Sequence, residues 1–99
     1  MKRLFAEIIL NKEDLKESNC NRLKLEYYKI SRKERNHSKA KLYGIEVVKK
    51  EYEHLKKVKE KRKIKSITYD EKTVNNLLNI LKKNKVTPMS VDEIIEEVL

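Results

Sequence analysis

The chain has 99 residues, of which 38% are hydrophobic and 41% charged, with no tryptophan, one cysteine and a net charge of +9. A domain this small buries about 60–65% of its unfolded surface, so a deep substrate pocket is not expected, and one cysteine excludes an internal disulfide. No apolar run approaches the ~20 residues that cross a bilayer. We therefore expect one cytoplasmic domain, without cofactor or membrane partner, that binds a ligand rather than catalysing a reaction and gains stability as a homodimer.

The positive charge is concentrated in the middle of the chain. Residues 22–68 contain 17 Lys or Arg against 6 Glu, whereas residues 1–21 are neutral and residues 69–99 carry more acidic than basic side chains. A basic segment that also alternates apolar and polar residues is typical of a folded surface that binds a polyanion. We divide the domain into an N-terminal segment (1–21), a basic sheet or wing (22–69) and a two-helix unit (70–99).

The N-terminal segment has no decisive period. Residues 4–10 are mostly apolar and fit either a short strand or the first turns of a helix. Asn11 is a candidate N-cap for a short helix that would run to Leu15, and residues 19–21 are expected to form a loop.

Two strands follow. Leu23, Leu25 and Tyr27 alternate with polar residues, which predicts a strand with these three on one face. The alternation resumes over residues 42–51, where Gly44 indicates a bulge or a close backbone approach. The polar run over residues 32–39 suits a turn, so the two strands form a hairpin with a cationic tip. The inward residues of the second strand are Tyr43, Ile45 and Val47.

Residues 53–63 are ambiguous, because their Lys and Glu content also suits a helix. As a strand, residues 58–68 would place four lysines on one face about 6.7 Å apart, close to the phosphate repeat of one nucleic-acid strand. We predict this third strand, with a loop over residues 53–57. The four lysines are Lys59, Lys61, Lys63 and Lys65.

Two helices are expected at the end of the chain. Asp70 is the predicted N-cap of the first, which ends near Asn84, and Thr87-Pro88 prevents its continuation. Ser90 and Glu93 have the spacing of a capping box for the second. The inward residues are Val74, Leu77, Leu78 and Leu81 in the first helix and Val91, Ile94, Ile95 and Val98 in the second. We predict an α+β, winged helix-turn-helix-like fold with a basic hairpin or three-stranded antiparallel sheet.

The second helix does not suit a DNA groove. In a helix-turn-helix it faces a duplex with one negative charge per ~1.7 Å, but here it has four acidic residues and no Lys or Arg. We therefore assign DNA binding to the sheet and its hairpin tip. The acidic residues are Asp92, Glu93, Glu96 and Glu97.

The candidate DNA-binding residues fall into two groups. Lysines are flexible point charges that suit phosphates, so Lys59, Lys61, Lys63 and Lys65 are assigned to the backbone. Arginine matches guanine and asparagine matches adenine, which makes the hairpin tip the candidate for base edges. The tip candidates are Arg32, Arg35, Asn36 and His37, and the full set adds Lys33, Lys39, Lys41 and Arg62.

Three alternatives stay open. The lysines can form an inert solvated face, the chain can be a small basic endoribonuclease toxin using His37 or His54, or it can be a transcriptional regulator or protein adaptor. The spacing of His37, His54 and Cys20 is not that of a zinc site, so no metal is expected.

Three stretches resemble a family of small clostridial proteins: LEYYKIS (25–31), KLYGIEVVKKE (41–51) and NKVTPMSVDEIIEEVL (84–99). The lysine-rich, tryptophan-free chain is also similar to the TcpK conjugation (relaxosome) accessory proteins of clostridial plasmids. That resemblance implies a dimeric winged helix-turn-helix protein that binds repeats in an origin of transfer through its β-wing, with other plasmid-processing proteins as partners. Strands that precede the two-helix unit depart from ordinary winged helices.

Overall fold

A computed structural model of the chain describes residues 1–11, 22–34, 37–53 and 56–99. Within these ranges the fold is α+β, with strands first and helices last. A 3-10 turn, Pro88–Ser90, precedes the second helix. The elements are β1 (Lys2–Asn11), β2 (Arg22–Glu34), β3 (His37–Glu53), β4 (Lys56–Thr68), α1 (Glu71–Lys83) and α2 (Val91–Val98).

The four strands form one antiparallel sheet in the order β1-β2-β3-β4. The ambiguous start of the chain is strand β1, so the expected three strands become four. Pairing decides this, because Ala6 lies opposite Tyr27 and Ile8 opposite Leu25, and both partly buried side chains pack against the core. Asn11 is the last residue of β1, not a helix N-cap. The rest of the helix predicted there, and the loop at 19–21, lie outside the described residues.

The core lies between one face of the sheet and α1. Leu25, Tyr27, Ile45 and Val47 are buried on the sheet side, as the alternation predicted. Tyr27 also donates a hydrogen bond from its hydroxyl to the carbonyl oxygen of Val86 at 2.9 Å, which satisfies the one polar atom of a fully buried ring. The four predicted apolar residues of α1 pack against them: Val74, Leu77, Leu78 and Leu81.

The ambiguous segment after β3 is strand β4, so the helical alternative is wrong for its described part. Ile64 pairs with Ile45 and Arg62 with Val47, and this pairing outweighs a helix propensity of a few tenths of a kcal/mol per residue. The predicted loop is shorter than expected, since Glu53 still belongs to β3 and Lys56 already to β4. Residues 54 and 55 lie outside the described part.

Gly44 marks both a bulge and a close approach, as its position in the strand predicted. The register between β3 and β4 shifts between Tyr43 and Ile45. A Cβ at Gly44 would collide with the carbonyl oxygen of Ile64 and would lie 2.6 Å from the carbonyl carbon of Lys65. Only a residue without a side chain fits against the backbone of β4 here.

The helices begin at the expected residues but without the expected caps. Asp70 precedes α1, yet its carboxylate accepts from the Thr73 hydroxyl at 2.7 Å. Ser90 precedes α2 but forms no side-chain cap, because the 3-10 turn already gives it a helical backbone (φ −97°, ψ −3°) where a capping residue is normally extended. The predicted capping box is therefore not formed. Val98, expected to face inward, is 41% exposed.

Candidate nucleic-acid interface

The face of the sheet away from α1, which we call the open face, carries a line of lysines on β4. Cross-strand pairing sets Lys59 opposite Lys50, Lys61 opposite Val48 and Lys63 opposite Glu46. These partners alternate with the buried Ile45 and Val47 and so point away from the core. We call five exposed residues the lysine row: Lys57, Lys59, Lys61, Lys63 and Lys65 at the start of the bulge. The row spans about 26 Å.

No lysine of the row forms an ion pair with a described carboxylate: Glu46, which lies opposite Lys63, is paired with Lys2 instead. The ammonium of Lys57 lies 5.6 Å from the centre of the Tyr52 ring. The lysines on the other three strands of the open face are each paired. Lys2 lies 2.8 Å from Glu46, Lys24 lies 3.3 Å from Glu7 and Lys50 lies 3.0 Å from Glu26. Uncompensated positive charge on this face is therefore concentrated on β4.

Two carboxylates are buried on the open face although no helix covers it. Glu26 is only 6% exposed and Glu46 only 4%, and lysine ammonium groups lie within 3.6 Å of both carboxylates. Burial would raise the pKa of the Glu26 carboxyl, but Lys50 and Lys24 outweigh it and the pKa is lowered. Lys50 Nζ lies 3.0 Å from Oε1 of Glu26, where its positive charge favours the ionised carboxylate.

The same ion pairs also change the pKa of the lysines. Glu46 raises the pKa of Lys2, and Glu26 raises the pKa of Lys50. These side chains stay charged at neutral pH but are held by carboxylates. The centre of the open face is consequently a neutralised network, unlike the lysine row beside it.

The hairpin of β2 and β3 projects beyond the rest of the sheet. On one side, pairing along β2 reaches Ser31, where Met1, just before β1, exchanges backbone hydrogen bonds of 2.7 and 2.9 Å with it. On the other side, β4 ends where Thr68 faces Tyr43. Beyond these points β2 and β3 continue alone over residues 32–34 and 37–42. We call this two-stranded segment the ribbon.

The ribbon and the lysine row meet at one hydrogen bond. Arg32 Nη2 donates to Ser66 Oγ at 3.0 Å, which fixes the base of the ribbon beside the end of β4. Because the exposed Arg32 lies next to Lys65, positive charge continues from the row onto the ribbon.

A family model described as "Family of unknown function (DUF6514)" matches residues 6–99. The chain belongs to the DUF6514 family. No curated protein and no solved structure shows significant similarity to it. The match includes all of β2, β3, β4 and both helices, and therefore the whole lysine row and ribbon of this DUF6514 protein.

The structure separates some residues that the sequence grouped together. Arg62 pairs with Val47 and so faces the helix side, where its Nε lies 3.1 Å from Asp92 Oδ1. Lys33 and Lys41 lie opposite each other in the ribbon, in line with the inward Tyr43 rather than with the lysine row. The alternation of side chains along β4 predicts this, because Arg62 lies between Lys61 and Lys63 and must face the other side of the strand.

For the other predicted DNA-binding residues, the structure describes at most the position of the backbone. His37 and Lys39 belong to the ribbon by their backbone positions, and Arg35 and Asn36 lie outside the described residues. Lys57 was missed because a loop was expected there. The acidic residues of α2 are exposed, and Asp92 contacts the side of β4 opposite the row.

The described ranges contain the two α-helices α1 and α2. Neither helix in them is both long and apolar enough to cross a lipid bilayer. In the same ranges, no three His, Cys, Asp or Glu side chains come together as a possible metal site.

Proposed function

We propose that this DUF6514 protein binds double-stranded DNA through the lysine row and the ribbon. The observation that carries the proposal is the line of exposed lysines on one strand, none paired with a described carboxylate, beside a network in which the other lysines are neutralised. Binding phosphates releases counterions from the duplex and is favourable wherever such charges meet the backbone.

In this proposal the two parts of the surface have different tasks. The row follows a phosphate backbone, since lysines spaced two residues apart on a strand form a regular line. The ribbon enters a groove, because a two-stranded ribbon fits the major groove of B-DNA. We assign base recognition to His37 and to Arg35 and Asn36, which precede it in the chain, and the junction contact to Arg32.

The resemblance to TcpK accessory proteins extends the proposal to a biological setting. We propose a homodimer that recognises repeats in an origin of transfer and acts with other plasmid-processing proteins, using the ribbon as its β-wing within a winged helix-turn-helix-like fold. The acidic α2 then serves the scaffold, because its Asp92 contacts the helix side of β4.

The test compares two variants with the same change in net charge. The first replaces Lys59, Lys61, Lys63 and Lys65 by glutamine, and the matched control replaces four exposed lysines of the helical unit: Lys72, Lys82, Lys83 and Lys85. Duplex binding is measured by fluorescence anisotropy between low and moderate salt. We expect the row variant to lower the slope of log K against log salt by up to about 3–4, since each phosphate contact contributes ~0.9. If the slope falls equally in both variants, only the net charge of the protein matters, and the proposal is contradicted.

A second experiment tests base recognition. Selection from a random duplex pool identifies the preferred sequence, and the double variant Arg35→Ala, Asn36→Ala is then measured on that sequence and on a scrambled one. We expect affinity for the selected site to fall by about 1–3 kcal/mol per lost base contact while the salt-dependent affinity for the scrambled duplex stays. If the double variant prefers the selected site as strongly as the wild type does, Arg35 and Asn36 do not contribute to base recognition.

Lysines on β4 also suit a simpler role, because β4 is an edge strand and lysines prevent edge-to-edge pairing of sheets. The variant in which glutamine replaces four lysines of the row distinguishes edge protection from DNA binding. If edge protection is the main role, the variant self-associates in light scattering and the wild type shows no salt-dependent DNA binding. If DNA binding is the role, affinity falls in the dispersed protein.

A further inference from the structure

A second basic cluster lies on the helix side of the sheet, where β1 begins beside β2. Two adjoining hollows of about 210 and 160 Å³ share Met1, Ser31 and Lys41 in their walls. The walls also include Arg32 and Lys33 in the first hollow and Arg3, Lys29, Tyr43 and Glu71 in the second. We call the site lined by Arg3, Lys29, Ser31, Lys33 and Lys41 the basic cleft.

Strand pairing sets like charges opposite each other in the basic cleft, which is unfavourable when no anion is bound. Arg3 lies directly opposite Lys29, and Lys33 lies directly opposite Lys41. Like charges in opposite positions destabilise a sheet, whereas opposite charges stabilise it. Two such pairs flank the same position, Ser31, in the strand that both share.

Only one of the four cations is compensated. Lys29 Nζ lies 3.0 Å from Glu71 Oε2 and donates to Asn75 Oδ1 at 3.1 Å. Arg3, Lys33 and Lys41 are exposed and have no ion pair with any carboxylate in the described ranges. Among the described residues that line the two hollows, Glu71 is thus the single acidic residue against five basic ones.

We propose that the basic cleft binds a dianionic phosphate group, either free or as the monoester of a small ligand, on the helix side of the sheet, although its Lys33 and Lys41 also belong to the ribbon of the proposed DNA interface. A monoester carries close to two negative charges at neutral pH, which three unpaired cations accommodate better than the single charge of a diester. Arg3 supplies a guanidinium fork that matches phosphate oxygens, Lys33 and Lys41 supply point charges, and the hydroxyl of Ser31 supplies a neutral donor. The two hollows leave room for a group beyond the phosphate, with Tyr43 in the wall.

The cleft is on the opposite side of the sheet from the lysine row and is bounded by Glu71 at the start of α1. A duplex lying along the row would not reach it. Because the ribbon contributes Lys33 and Lys41 to the cleft, phosphate binding is tested directly and in the absence of DNA.

The experiment is an NMR titration of the full chain with inorganic phosphate, adenosine monophosphate and adenosine, each at constant ionic strength. We expect saturable shifts of the Ser31 and Tyr43 amides with both phosphate-bearing probes and none with adenosine. Tighter binding of adenosine monophosphate than of phosphate identifies a nucleoside phosphate as the ligand class. Equal binding identifies free phosphate.

Variants decide whether the cleft is responsible. The triple variant Arg3→Gln, Lys33→Gln, Lys41→Gln should bind phosphate probes at least about tenfold more weakly, about 1.4 kcal/mol, and should unfold at higher urea without ligand because the repulsion is removed. The matched control, Lys82→Gln, Lys83→Gln, Lys85→Gln, should retain binding, as should the lysine-row variant. Shifts that do not saturate, that adenosine reproduces, or that survive in the triple variant would overturn the proposal, whatever the DNA measurements show.

Discussion

Arg62 Nε lies 3.1 Å from Asp92 Oδ1, on the helix side of the same strand whose lysines face the other way. This contact holds the acidic α2 against β4 while Lys61 and Lys63, on either side of Arg62, point to the open face. One strand therefore separates the two charged surfaces of the molecule. The alternation of side chains along β4 is what keeps the carboxylates of α2 away from a ligand bound at the lysine row.

We predict that Arg62→Gln weakens DNA binding less than Lys61→Gln or Lys63→Gln, although all three remove one charge from neighbouring positions. Arg62 is directed to the helix side, and so it does not neutralise a phosphate at the row. Anisotropy titrations of the three single variants at one salt concentration check this. Equal losses would mean that the face of the strand does not matter.

The contact itself should contribute little to stability. Both side chains are substantially exposed, 47% for Arg62 and 60% for Asp92, and such pairs contribute about 0.2–1 kcal/mol. A double-mutant cycle of Arg62→Ala and Asp92→Ala by urea unfolding should give a coupling in that range that declines with salt. A coupling above it would indicate a more desolvated pair.

Gly44→Ala should destabilise the fold and weaken DNA binding together. The new Cβ collides with the carbonyl oxygen of Ile64 and meets the carbonyl group of Lys65, so β4 must shift, at a cost of about 1–3 kcal/mol or more. Because β4 carries the lysine row, the shift also disturbs the proposed interface. Urea unfolding measures the first effect, with Ala40→Gly in the same strand as a control for flexibility. A fully stable Gly44→Ala variant would contradict the close approach.

Tyr27→Phe should cost about 1–3 kcal/mol at neutral pH, since it leaves the Val86 carbonyl without its buried donor. Burial raises the pKa of Tyr27 from 10.0 to about 12. The folded state therefore keeps the proton that the unfolded chain loses, and this contribution is complete below pH 10 and is lost as the pH rises towards 12. The stability gap between wild type and variant should narrow over that range. Tyr69→Phe, at a 60% exposed position, is the control.

Glu26→Gln should lower stability at neutral pH by removing the charge that Lys24 and Lys50 approach. The pKa of Glu26 is lowered in the folded protein despite the opposing effect of burial. Its contribution is therefore present above the ordinary value of 4.5 and is lost as the pH falls through the folded-state pKa. Urea unfolding of both proteins should give curves that converge in acid. Exposed Glu97→Gln should show no such convergence.

The sequence by itself determined which faces meet. Alternation with a period of two residues placed Leu25, Tyr27, Ile45 and Val47 on the core side of their strands. The helical period of about 3.6 residues placed the apolar residues of α1 against them. The same alternation located four lysines on one side of β4 and put Gly44 where two backbones approach. These are local properties, because the direction of a side chain follows from its position along its own strand or helix.

Tertiary structure decided everything that depends on which strands pair and where they end. The apolar run at the start of the chain became β1 only through pairing with β2, and the ribbon exists because β1 and β4 stop before β2 and β3 do. Likewise, the burial of Glu26 and the opposition of Lys33 and Lys41 follow from register. Register joins residues far apart in the chain, and it depends on the geometry of the turns as well as on the alternation within each strand.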